Sequence, residues 1–379
     1  MQWGHASFPG AGRLQNPATL HTLNAMRVTL REIADAAGLS VSTASRALNG
    51  HPAISVDTVA KVRRVAELLR YRRVRSHRRL DVTQAVAGKS VAMISLAMDP
   101  SLVALPVVAA AIKGVEAGLS EASACLRLAH VPDLKHVPRG LRPATLDGVI
   151  LTGSRQGSHI AAARSSLIDQ LRTLPTVWIL GRPAGCWGDV VASDDYATGA
   201  MAAEHLVARG HRHLAFVNPK PDHLLFMRRE DGFVARARRL GAEVRCFCEA
   251  PPGGWGLPLR PALNVETVQG LIDRLLAAEP QPTAVFAAAD SVAAVVYRAL
   301  AARRLRVGRD ISVISGNNDH SLIAGLRPSL TTFDIHAEQI GRLAVRQLAM
   351  RLSASNASPD AELMIRPTLV EGESVAPAS

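Results

Sequence analysis

The chain has 379 residues, 48% of them apolar, and carries 44 Lys and Arg against 32 Asp and Glu, a net charge of +12. That length exceeds one typical domain and supplies a substantial core. No apolar run approaches the roughly eighteen residues of a membrane-spanning helix, and four cysteines form no disulfide or zinc framework, which fits a reducing cytoplasm.

The charge is lopsided. The first 89 residues hold fourteen Lys and Arg but only five Asp and Glu, so a polyanion-binding front end joins a near-neutral body. Residues 1–26 are punctuated by Gly, Pro and Asn, lack the apolar core of a signal peptide and are expected to be disordered, with Met1 or Met26 as the translation start. From Val28 the pattern tightens. Thr29 and Glu32 form a capping box, Leu30, Ile33, Ala34 and Ala37 follow at helical spacing, and Gly38 supplies a left-handed stop. Ser40 is an N-cap for a second helix over 41–48, which ends at Asn49-Gly50.

Two short helices joined by a Gly-containing turn are the signature of a helix-turn-helix. Ala44 and Leu48 are expected to face the first helix, leaving Val41, Ser42, Ser45 and Arg46 outward. A third helix starts at Ser55 and is expected to pack through Val59, Val62, Ala66 and Leu69. A protein-interaction bundle is the competing reading. The small outward side chains argue against it, as does the basic run that follows (Arg70, Arg72, Arg73, Arg75, Arg78 and Arg79).

After Gly88 short apolar runs alternate with helical patterns. Strands are predicted over 91–96, 148–151, 176–180, 213–217 and 283–287, and helices over 106–119, 198–209, 231–240 and 291–303; segments 311–314 and 339–352 close the series. Such alternation predicts parallel sheets flanked by helices. There is no Gly-rich phosphate loop, no Gly-x-Ser-x-Gly and no His-Glu-x-x-His, so the pattern points away from an enzyme, a cofactor or a metal site. Among the thirteen histidines, His205, His211 and His213 come nearest to a cluster.

The run from Val28 to Asn49, with its Ser-x-x-Thr-x-Ser-Arg-x-Leu-Asn core, closely resembles the headpiece of the lactose-repressor (LacI/GalR) family. Leu146-Asp-Gly-Val-Ile-Leu151, Asp194-Asp-Tyr-Ala-Thr-Gly199, Arg229-Glu-Asp-Gly-Phe233 and Pro328-Ser-Leu-Thr-Thr332 resemble the periplasmic sugar-binding-protein fold. The resemblance implies an all-α headpiece followed by an α/β effector domain of two lobes, with crossovers near Ser193, near 334–336 and before Pro367. It divides the chain into an extension (1–26), a headpiece (27–73), a hinge (74–88) and an effector-binding and dimerisation domain (89–379).

The same resemblance implies residue roles. Val41, Ser42 and Arg46 would read base edges in the major groove, Arg46 being suited to guanine. Thr29, Thr43, Ser45, Asn49, Ser55 and Thr58 would hold phosphates, with Ser40 and Tyr71 also in the DNA-binding set. Leu80 would wedge into the minor groove at the operator centre, although Arg73-Val74 replace the usual Pro-Asn before this hinge and His77 replaces a small residue. Effector contacts would come from Leu102 in the 98–105 loop, Asp194, Arg229, Trp255, Asp290 and Asn317. The planar fork of Arg229 suits hydroxyls or a carboxylate. Asn317 stands where many relatives carry Asp, and Ala289 where sugar-binding relatives carry a polar residue.

The expectation is therefore a cytoplasmic homodimeric transcriptional regulator with no membrane partner. It would bind a near-palindromic double-stranded operator and respond to a small molecule, a carbohydrate or sugar acid, that shifts its conformational population. Induction and co-repression both stay open. The tail beyond Leu352 lacks heptads, which favours a dimer over a coiled-coil tetramer. A periplasmic solute-binding protein shares the second fold but has no use for the headpiece. A ligand-independent DNA-binding protein with a degenerate cleft is the other alternative, with Ala289 and Asn317 on its side.

Overall fold

The computed structural model describes residues 30–48, 54–69, 82–250, 265–354 and 358–378. The chain divides into two units, Met1–Arg78 and Arg79–Ser379.

In the first unit, helices α1 (Leu30–Ala37), α2 (Val41–Leu48) and α3 (Val56–Leu68) enclose a core of small side chains. Ile33, Ala34 and Ala37 meet Ala44 and Ala47 of α2 and Val62 and Ala66 of α3. Gly38 turns the chain at φ +64°, a conformation that a Cβ disfavours. Leu48 is half-buried and packs against this core, with Ala47 fully buried beside it. One expected core position, Leu69, differs. It is 36% exposed, because it caps the end of α3 instead of continuing it. Thr29, Asn49, Tyr71 and Leu80 lie outside the described residues.

The second unit opens with α4 (Val82–Val86), β1 (Ser90–Leu96), α5 (Pro100–Val103), α6 (Pro106–Glu121), β2 (Cys125–Val131) and β3 (Gly148–Gly153). It continues through α7 (His159–Ala162), α8 (Ser166–Arg172), β4 (Thr176–Ile179), β5 (Asp189–Ser193), α9 (Asp195–Ala208) and β6 (His213–Asn218). Next come α10 (Leu224–Arg239), β7 (Glu243–Cys248), α11 (Val265–Leu276), β8 (Ala284–Ala287), α12 (Asp290–Ala302) and β9 (Ser312–Ile314). The last elements are α13 (His320–Ile323), β10 (Thr332–Asp334), α14 (Ala337–Ser353), β11 (Glu362–Ile365) and β12 (Thr368–Val370).

These strands make two lobes, each on its own parallel sheet. The first sheet runs β11-β5-β4-β3-β1-β2 and the second β7-β6-β8-β9, while β10 and β12 pair antiparallel. The chain passes between the lobes after β5, after β10, and between β11 and β12. Central strands β3, β4, β6 and β8 are covered on both faces, which explains their unbroken apolar runs. Edge strands β2 and β7 are half-exposed and mix charged with apolar residues, so the apolar pattern passes over them.

Each lobe is held by a helix pair that meets through glycine. Gly114 of α6 and Gly341 of α14 pack backbone to backbone in the first lobe, and Gly199 of α9 and Gly232 of α10 do so in the second. Helix α9 starts three residues before its predicted onset because Asp194 caps it, Oδ1 accepting from the Ala197 N–H at 2.9 Å. Helix α10 starts at Leu224 instead of 231, which carries Arg229 onto a helix.

Candidate functional site

A cavity lies between the two lobes of the second unit, with about 890 Å³ of space unfilled by protein atoms, its open mouth included. Its wall is built from the loops that leave the carboxyl ends of the strands, where open parallel sheets gather ligands. Leu102 comes after β1, Ser154, Arg155 and Gln156 after β3, Lys220 and His223 after β6, and Asn317 and Asp319 after β9. The segment expected as a plain loop over 98–105 holds α5, started by Pro100 and capped by Asp99, which accepts from the Ser101 N–H at 3.0 Å. Met98, Leu102 and Leu105 of that segment line the cavity. The lobes touch beside it: the Leu224 N–H donates to the Arg155 carbonyl at 3.2 Å, and Gln156 and His223 form an isolated antiparallel bridge.

Arg229 is, with Gln156, among the most embedded polar groups of this wall, only 1% exposed. Its Nε donates to Asp195 Oδ1 at 2.7 Å, and Nη1 donates to the Ala288 carbonyl at 2.7 Å. A longer Nη1 bond reaches the Gly316 carbonyl at 3.4 Å, and Nη2 donates to Asn317 Oδ1 at 3.0 Å. A guanidinium has five N–H groups, so these four bonds leave one uncommitted. The amide at Asn317 therefore keeps an acceptor for Arg229, while Asp195 supplies the charge. Asn317 also donates from Nδ2 to Asp319 at 3.4 Å. Burial, with the Asp290 carboxylate nearby, pushes the Asp319 carboxyl up to about 6.

Of the expected effector contacts, Leu102, Arg229 and Asn317 line the cavity together. Asp194 and Asp290 do not. Asp194 is committed to capping α9, and its own N–H donates to the Ile365 carbonyl at 2.8 Å, tying the first crossover to the third. Asp290 is fully buried and both of its oxygens are taken: Oδ1 accepts from Ser315 and Thr332, and Oδ2 from the Asp319 N–H at 2.7 Å. It positions the wall without facing the cavity. Trp255 lies outside the described residues.

Sequence reasoning missed Asp195, Arg155, Gln156, Lys220, His223 and Asp319. Asp195 had a signal, since it precedes Gly199 by four residues and so shares the helix face that packs on α10. The others sit immediately after strand ends, a position rather than a motif. Burial lowers the Arg155 guanidinium to about 10 and the Lys220 ammonium to about 8, so both carry charge at neutral pH. Burial and the surrounding Arg155, Lys220 and Arg229 hold the His223 imidazole well below its ordinary range, hence neutral.

In the first unit α2 presents Val41, Ser42 and Arg46 outward, with Ser45 and Thr43 half-exposed beside them. Positions 41, 42, 45 and 46 share one face because its opposite face carries Ala44 and Ala47 into the core. Ser40 caps the helix, its Oγ accepting from the Thr43 N–H at 3.2 Å and contacting Thr43 Oγ1 at 2.8 Å. Ser55 does the same for α3 through the Thr58 N–H at 3.3 Å. Both caps orient helix starts whose amides suit phosphate oxygens.

Comparison with known proteins agrees with both halves. Residues 29–74 match the family of bacterial regulatory proteins, lacI family, and residues 203–375 match a periplasmic binding protein-like domain. The chain is 30% identical over 356 residues to the HTH-type transcriptional regulator GntR of Pseudomonas aeruginosa, covering 90% of this chain and 95% of that one. It is 26% identical over 351 residues to the ribose operon repressor of Escherichia coli, covering 90% and 98%. Among solved structures it resembles a complex of the transcriptional regulator CelR with cellobiose, with a TM-score of 0.59, 24% identity and coverage of 92% and 100%. A LacI family regulator from Enterococcus faecium with bound ribose gives a TM-score of 0.60, 19% identity and coverage of 76% and 100%.

Proposed function

The chain belongs to the lacI family of bacterial transcriptional regulators, and from that membership we propose that it is a sequence-specific repressor whose operator affinity is set by a small molecule, a carbohydrate or sugar acid, bound between its two lobes. The observation that carries this reading is the cavity itself, walled from both lobes and fixed by the buried Arg229–Asp195 pair with Asn317 on its rim. The similar regulators solved with cellobiose and with ribose support a carbohydrate-class effector.

In this proposal Val41, Ser42 and Arg46 enter the major groove, and the cap residues Ser40, Thr43, Ser55 and Thr58 set the register on phosphates. Two chains pair through their second units, so that two headpieces meet the half-sites of a near-palindrome. A molecule that favours one arrangement of the lobes shifts the operator affinity by its differential binding, typically about 1–3 kcal/mol or roughly 5- to 150-fold. The test is selection of DNA from a random library with full-length protein at physiological salt. A near-palindromic consensus is expected. Strong binding with no shared motif would mean that nonspecific phosphate contacts dominate, and the operator model would fall.

A further inference from the structure

The reading of the cleft as an effector site, on which this inference rests, leaves the chemistry of the effector unspecified. The polar atoms that the protein itself does not use narrow it. Arg155 and Gln156 follow β3 and are 8% and 1% exposed. Ser154 Oγ donates to Gln156 Oε1 at 3.1 Å, which orients the amide and leaves Nε2 without a partner. Arg155 uses Nη2 for Thr152 Oγ1 at 2.9 Å and the Ile179 carbonyl at 3.4 Å, while its Nε has no partner.

From the opposite lobe Lys220, 8% exposed, and His223 complete the same stretch of wall. The Lys220 backbone is pinned by its N–H, which donates to Asn218 Oδ1 at 2.8 Å. Arg155 and Lys220 both line the cavity and both act electrostatically on the His223 ring, whereas Arg229 is answered by Asp195, so Arg155 and Lys220 make this stretch of wall cationic. The unused atoms of Arg155 and Gln156 are both donors. A buried donor without an acceptor is costly, so these two atoms are placed for a group that accepts. His223 Nδ1, also unpartnered on this wall, belongs to a neutral ring and can donate or accept, while the unpartnered Oδ2 of Asp195 does not line the cavity.

We propose that the effector is a small organic acid whose carboxylate sits at the seam between the lobes, accepting from Arg155 Nε and Gln156 Nε2 on one lobe and paired with Lys220 on the other. Met98, Leu102, Leu105, Leu225 and Phe226 line the remaining wall and take its carbon skeleton. Asp319 faces the same cavity, which favours a singly charged carboxylate over a phosphate dianion. A neutral sugar brings no charge to this cationic stretch. Because the anchors lie on different lobes, where the Leu224 N–H already meets the Arg155 carbonyl, binding favours the closed arrangement and couples the acid to the conformation.

The experiment is a thermal-shift titration of full-length protein with matched pairs at constant ionic strength: glucuronate and glucose, galacturonate and galactose, benzoate and benzyl alcohol. Arg155→Met and Lys220→Gln are run alongside, and the same samples are assayed for binding to library-selected DNA. At least one acid is expected to raise the midpoint in proportion to its occupancy while its neutral counterpart does not. Either variant that folds should need about tenfold or more acid for the same shift. A neutral member that matches or exceeds its acid overturns the carboxylate assignment and leaves the effector-site reading standing. Acid affinity unchanged in both variants overturns the assignment to Arg155 and Lys220. Silence of every pair, with DNA binding intact, overturns the carboxylate proposal together with effector control and leaves only the DNA-binding half.

Discussion

Gly199 and Gly232 lie backbone to backbone between α9 and α10: a Cβ on Gly199 would stand 1.9 Å from the Arg229 carbonyl oxygen, and one on Gly232 2.0 Å from that of Tyr196. This approach brings Arg229 within 2.7 Å of Asp195, one helical turn before Gly199. The fit of two bare backbones thus sets the position of the charged pair at the cavity wall.

Gly199→Ala is accordingly expected to destabilise the second unit by at least about 1–3 kcal/mol, because the rigid neighbouring backbone must move to admit the methyl group. Gly270 of α11 is the control. It is helical, and a Cβ there would meet nothing within 4 Å, so Gly270→Ala should stabilise by roughly 0.5–1 kcal/mol through lost backbone freedom in the unfolded chain. Thermal denaturation of both variants reads the difference directly. Equal effects would mean that the α9–α10 contact is loose.

Arg229→Met should lose about 3–5 kcal/mol, since it strands the Asp195 carboxylate in a dry interior. Adding Asp195→Asn to that variant should restore part of the loss, with a coupling of about 1 kcal/mol or more between the two positions. Restoration stays incomplete because Arg229 also serves the Ala288 and Gly316 carbonyls and Asn317. Additive losses in urea denaturation would show that the pair is not coupled.

How far the sequence displayed this arrangement differs from residue to residue. Gly38, Ser40 and Ser55 announce the headpiece helices because caps and left-handed turns need particular residue types. The buried central strands are legible as apolar runs, whereas β5 contributes only Val190, Val191 and Ala192 between polar neighbours and escapes a pattern search. Asp194 and Asp195 are adjacent and chemically identical. Only the face of α9 that meets Gly232 tells which caps the helix and which holds Arg229. Arg155 and Lys220 lie 65 positions apart in separate loops, and no local pattern links them; two sheets facing each other do.

In the headpiece, capping and reading are expected to separate cleanly. Ser40→Ala removes the acceptor of the Thr43 N–H and should cost about 1 kcal/mol of headpiece stability, weakening binding to all DNA sequences alike. Arg46 is exposed and outside the core, so Arg46→Ala should leave the fold intact. Its effect should fall on one position of the selected consensus, where discrimination drops by about 1–3 kcal/mol. Repeating the library selection with each variant distinguishes the two. A uniform loss from Arg46→Ala would assign that side chain to phosphate instead.

Asp319 gives the pH dependence of the cleft. Its carboxyl is raised from 3.8 to about 6, first by burial and then by the Asp290 carboxylate, against the pull of Asn317 and Arg229. The folded state therefore binds more protons than the unfolded chain between about pH 4 and pH 6, and stability falls as pH rises through that window. Above it the ionised carboxylate carries the full penalty, up to about 3 kcal/mol at 1.36 kcal/mol per unit. Asp319→Asn removes the charge and keeps a carbonyl to accept from Asn317. This variant should melt above the parent protein at pH 7.5 and lose that advantage at pH 4.5, where the parent side chain is itself largely protonated. If Asp319→Asn instead melts lower at pH 7.5 and matches the parent at pH 4.5, the attraction of Arg229 outweighs burial and the sign of the shift is reversed. Denaturation midpoints across this pH range decide between the two, because a purely steric effect of the amide would be the same at every pH.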